Sequence, residues 1–133
     1  MGRRAALLTL LFGEPVQPPP AMLARFPELR LARYRVGGIP PRIGGWALGR
    51  RTVAAITLWR TVFLAPDVPP SAELLLHELR HVQQFGADRA FPLRYLWESV
   101  RRGYWRNRYE LDARAYAAAR VRAPVTSTRQ QDT

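Results

Sequence analysis

The pentapeptide His77-Glu78-Leu79-Arg80-His81 constrains this chain more than any other stretch. It lies within SAELLLHELRHVQQFG, residues 71–86, where apolar residues recur at helical spacing. Side chains four apart share one helical face, so both imidazoles can reach one Zn²⁺. Glu78 lies beside them, where a carboxylate can take a proton from a zinc-activated water. At about 100° per residue, His77, Glu78 and His81 occupy one arc, while Leu75, Leu79 and Val82 lie roughly opposite. Glu73, Arg80 and Gln84 form a third, polar arc. Ser71 after Pro69-Pro70 is the expected N-cap and Gly86 the expected stop.

These are the only two histidines in 133 residues. Placed at random, they would stand four apart with Glu after the first roughly once in 1,500 arrangements. Two ordinary hydrogen-bonded histidines on a helix would leave that coincidence unexplained.

A catalytic zinc site typically has three protein ligands and one open position. No histidine remains and there is no cysteine, so the third ligand must be a carboxylate. Downstream candidates are Asp88, Glu98, Glu110 and Asp112. On a helix spanning about 107–121, NRYELDARAYAAARV, Glu110 shares its face with Ala113, Ala117 and Val121. Asp112 points away from them, with Arg108, Tyr116 and Ala119. A carboxylate on a small-residue packing face needs a partner, because burying it unpaired is costly. That favours Glu110, against a second reading in which Asn107 and Glu110 form a helix-capping box. Arg114, one turn on, is placed to orient that carboxylate or to stabilise an oxyanion.

Composition narrows the class. At 133 residues one domain with a real core is expected, and no apolar run reaches the ~20 residues of a membrane span. The net charge is +11, all of the basic residues being Arg. Such a balance suits nucleic acid, an anionic membrane or an acidic partner. The arginines are scattered, however, with no block of five or six, so a compositional bias is the preferred reading and a nucleic-acid partner is not expected.

Residues 1–12, MGRRAALLTLLF, read as a short helix. They pack on the domain, lie on a membrane surface or serve as a secretory leader, although no cleavage site follows. A cytoplasmic location is preferred. Residues 15–20 read as a stiff spacer, 21–26 as one or two helical turns, 29–36 as a half-exposed strand and 37–45 as loop. A hairpin at about 50–66 turns at Trp59-Arg60, and the strand leading to the helix could pair with an extended substrate backbone. After Phe91-Pro92, Leu93, Leu96, Trp97, Val100 and Tyr104 follow helical spacing and are expected to pack in the core. Residues 122–133 read as a disordered tail.

With HELRH, the following VQQ and the helical YELDA in view, the chain resembles gluzincin metallopeptidases, zincins with HExxH and a Glu on a later helix. The run AITLWRTVFLAPDVPPSAELLLHELRHVQQ looks like that of small bacterial zinc-peptidase-like domains, including those associated with contractile injection systems. The likeness covers about residues 50–117. It implies His77, His81 and Glu110 as zinc ligands, Glu78 as general base and a peptide or protein substrate. Many gluzincins carry an Asp four after the ligand Glu to support a histidine; here that position is Arg114. Another group must hold the histidine, or the site is weaker.

The expected architecture is α+β. A small antiparallel sheet packs on a helical half carrying the HExxH helix (about 71–86) and the third-ligand helix (about 107–121). Residues 1–20 form a helix and spacer, 21–121 the zincin-like metallopeptidase domain. The expected activity is zinc-dependent peptide hydrolysis. An inactive zinc-binding scaffold is the main alternative, and an Arg-rich nucleic-acid binder a further one.

Overall fold

The turn Trp59-Arg60 joins β3 (Ala55–Leu58) to β4 (Thr61–Leu64) in a two-residue hairpin, with Leu58 opposite Thr61. Such turns need positive φ, and Trp59 adopts φ 55° without being glycine. Its ring stacks at 5.5 Å on Phe85, which offsets that conformational cost. The computed structural model describes residues 2–41, 54–67 and 69–123. Residues 50–53 of the expected hairpin, residues 42–45 of the expected loop 37–45 and residues 124–133 of the expected tail lie outside them.

Two further strands complete a four-stranded sheet of order β1-β2-β4-β3. The first, β1 (Glu14–Val16), pairs antiparallel with β2 (Arg33–Val36). The second pairing is parallel, β2 on β4, with Arg33 opposite Thr61 and Val36 opposite Leu64. The sheet is therefore mixed, and the expectation of an antiparallel one is corrected. A parallel pair needs a connection of a dozen or more residues, and positions 37–60, β3 among them, separate β2 from β4 in sequence.

The stretch read as a spacer also contributes to the sheet, since Pro15 is tolerated on an edge strand. Gly13 makes this docking possible: a Cβ there would stand 2.2 Å from the Val36 carbonyl oxygen. Arg35 donates to the carbonyls of Phe12 and Gly13 and ties the same junction.

The expected strand 29–36 is shorter than its pattern. Pro27 starts a 3₁₀ turn, Pro27–Leu31, that buries Leu29 before β2 begins. N-terminal to it lie α1 (Gly2–Phe12) and α2 (Pro20–Arg25). Three longer helices follow the sheet: α3 (Ala72–Ala87), α4 (Phe91–Arg102) and α5 (Arg108–Arg122). A 3₁₀ turn, Tyr104–Arg106, separates the last two.

Ser71 caps α3 by accepting from the Leu74 amide at 3.1 Å, and the helix runs one residue past Gly86. Leu75, Leu76 and Leu79 are fully buried with Phe26, Leu29 and Val62, so the face opposite the histidines is the core face. From the other side α5 presents Ala113 and Ala117, both fully buried. With no bulk at these positions its backbone comes close to α3, and Glu110 is carried to the histidines.

One expectation about the core is overturned. Leu93, Leu96, Trp97 and Val100 of α4 are 72%, 61%, 63% and 82% exposed. The face of α4 turned inward carries Phe91, Tyr95, Glu98 and Ser99 instead. Tyr104 is half-buried in the turn beyond the helix.

Candidate metal centre

One turn of α3 separates His77 from His81, and their Nε2 atoms face each other at 3.2 Å. Glu110 reaches both from α5: Oε2 lies 2.9 Å from His77 Nε2 and Oε1 lies 3.2 Å from His81 Nε2. The three residues form a group able to hold a metal ion, with ligand atoms all within 4.8 Å of one another. Two atoms each about 2.1 Å from zinc at a tetrahedral angle stand about 3.4 Å apart. The donor set and spacing therefore fit a Zn²⁺-sized cation.

Burial would raise the Glu110 carboxyl. Hydrogen bonds from His77, His81 and Tyr95 instead hold it well below the usual carboxylate range. Burial would likewise lower His81, but Glu110 and the charge of Glu78 bring it up to about 9. Without a cation, a buried carboxylate thus retains a proton on its histidine partner. A cation substitutes for that proton.

Asn107 does cap α5: its Oδ1 accepts from the Tyr109 amide at 2.9 Å. Glu110 does not reach back to complete a capping box, because both its oxygens are engaged by His77, His81 and Tyr95. Among the other carboxylates, Asp88 accepts from the Ala90 amide at the start of α4. Glu98 is buried near Arg102 and Arg108. Asp112 forms a two-pronged pair with Arg80.

Three supporting residues carried no assigned role in the sequence. Gln84 Oε1 lies 2.8 Å from His81 Nδ1. Its amide nitrogen donates to the Tyr109 carbonyl and to Asp112, which fixes its orientation and makes Nδ1–H the donor. Once a cation displaces the Nε2 proton, His81 would present that lone pair toward the cluster. Gln84, and not Arg114, is the residue that supports His81. The available signal was its place one turn beyond His81.

Tyr95 donates to Glu110 Oε1 at 2.6 Å, and burial pushes its phenol far up, so it stays protonated. Its position four after Phe91, with a hydroxyl on an aromatic, was the signal. Thr57 of β3 donates to Glu78 Oε2 at 2.6 Å and fixes that oxygen. No pattern in an apolar strand pointed to it.

Arg114 does not orient Glu110. It donates to the Trp105 carbonyl and lies over the Tyr104 and Trp105 rings. The Tyr104 phenol is pushed up to about 12, by burial first and then by Glu110 and Glu78, which marks it as a neighbour of the cluster.

The fold and site together define an α+β domain with a metal-competent His-His-Glu centre between two helices. No family model, curated protein or solved structure matches the chain.

Proposed function

We propose that this protein is a zinc-dependent peptidase, with His77, His81 and Glu110 as ligands and Glu78 as general base. The observation that carries the reading is the convergence of three ligand atoms from two helices, with a second, separately oriented carboxylate, Glu78, beside them.

Zn²⁺ held there supplies a water of lowered pKa and polarises a carbonyl. Glu78 is then placed to take a proton from the attacking water and return it to the leaving amine. Thr57 donates to Oε2 of Glu78, which leaves Oε1 for that exchange. Tyr95 and Tyr104 remain protonated at neutral pH, so each is a donor rather than a competing charge.

Among the described residues β3 is an outer strand of the sheet, and it carries Thr57 toward Glu78. An extended peptide pairing with β3 would lie along the cluster, which supports a peptide over a small-molecule substrate. Arginines engaged inside the fold, such as Arg120 with Glu28 and Arg35 with two carbonyls, weigh against a nucleic-acid role.

The experiment is casein hydrolysis by zinc-loaded wild type and Glu78→Gln. The variant should keep zinc and lose turnover by roughly two orders of magnitude or more. Equal turnover in both removes Glu78 as the base. A wild type that holds zinc yet cleaves neither casein nor a broad peptide library supports the scaffold reading.

A further inference from the structure

We propose that the outer face of α4 is a docking surface for an anionic lipid bilayer. The inference does not depend on the catalytic reading.

The helix is inverted relative to an ordinary surface helix. Its inward side holds Tyr95, Glu98 and Ser99, while Leu93, Leu96, Trp97 and Val100 face solvent. These four project onto one arc of about 100°, a continuous stripe along the helix. Leaving it in water forgoes stabilisation that any apolar phase would return.

Charge around the stripe selects the occupant. Residues 88–109 contain Arg89, Arg94, Arg101, Arg102, Arg106 and Arg108, all exposed, against two acidic residues, Asp88, which pairs with Arg94, and Glu98, which is buried. Arg94 and Arg101 project beside the stripe at its edge. An apolar stripe bearing an indole and bordered by arginines is the pattern of a helix lying at a lipid headgroup boundary. The chain's net charge of +11 adds long-range attraction to an anionic leaflet.

Other occupants fit less well. Nucleic acid would leave the four apolar side chains in water. A second copy, meeting the same face, would bring arginine against arginine. Four side chains are also far fewer than the roughly twenty residues per side of a stable interface.

The test is vesicle co-sedimentation of the full chain at about 150 mM salt. Phosphatidylcholine vesicles are compared with vesicles containing about one third phosphatidylserine. Wild type should sediment with the anionic vesicles and shift its tryptophan emission to the blue. Leu93→Gln/Leu96→Gln/Val100→Gln should cut the bound fraction roughly tenfold or more, with its circular-dichroism melt unchanged. Trp97→Phe, a milder change, should lose most of the blue shift. Arg101→Gln/Arg106→Gln should weaken binding to anionic vesicles only. Wild type remaining in the supernatant overturns the proposal, as does a triple variant that sediments like wild type. Self-association abolished by the triple variant, without vesicle binding, assigns the face to a second copy and overturns it equally.

Discussion

Helices α3 and α4 are both amphipathic and neighbours in sequence, yet their apolar faces point in opposite directions. In α3 the leucines at 75, 76 and 79 are fully buried beneath the sheet and α5. In α4 the stripe from Leu93 to Val100 faces solvent. The difference lies in the other face of α4. Tyr95 donates to Glu110, and Asn107 of the next helix donates to the Tyr95 carbonyl and to Ser99 Oγ. Rotating α4 by half a turn would bury its leucines, worth roughly 1.5–3 kcal/mol each. It would also strip partners from buried polar groups at roughly 1–3 kcal/mol each. The two sums are comparable, so periodicity locates a stripe without telling which way it points.

The contrast breaks most visibly if core and surface leucines prove equivalent. Leu79→Ala, in the fully buried face of α3, should destabilise by roughly 2–5 kcal/mol in urea denaturation. A loss below about 1 kcal/mol would contradict the packing described for α3.

A smaller effect concerns charge between α3 and α5 in metal-free protein. His81 is raised from 6.5 to about 9 in the folded state, by Glu110 and Glu78 acting against burial. Its contribution is therefore complete below pH 6.5 and lost as pH rises toward 9. Chelated protein should lose thermal stability across that window. Zinc-loaded protein should not, since metal binding displaces the proton and strengthens as pH rises. Chelated protein that becomes more stable from pH 6.5 to 9 would refute the His81–Glu110 pairing.

Gln84→Ala removes the acceptor that orients His81 and leaves the ligands in place. Zinc affinity should fall about 10- to 100-fold by chelator competition, with a small change in melting. Unchanged affinity would show that His81 needs no such support.

At the small end, Leu96→Ala on the outer face of α4 should change stability by no more than about 0.5 kcal/mol. A cost near that of Leu79→Ala would place Leu96 in a core and erase the contrast.

What the sequence disclosed follows the range of each interaction. His77 and His81 were legible because both lie on one helix with fixed spacing. The placing of Glu110 was legible because Ala113 and Ala117 marked the packing face of α5. Thr57 was not, because its partner lies in another element and the rest of its strand is apolar. The parallel pairing of β2 with β4 was hidden for the same reason, since short strands do not name distant partners. Strand β1 was masked by prolines that an edge position tolerates.

The most direct test of the central claim, a metal centre built from His77, His81 and Glu110, is zinc content followed by chelator competition. Three proteins suffice: wild type, Glu110→Gln and Asp112→Asn. Wild type purified without chelator should hold one zinc per chain. Glu110→Gln should weaken binding by roughly two orders of magnitude or more, whereas Asp112→Asn, which bonds Gln84 and Arg80 among the described residues, should stay within about tenfold of wild type. Glu110→Gln binding zinc as tightly as wild type, or Asp112→Asn losing it, would contradict the centre described here.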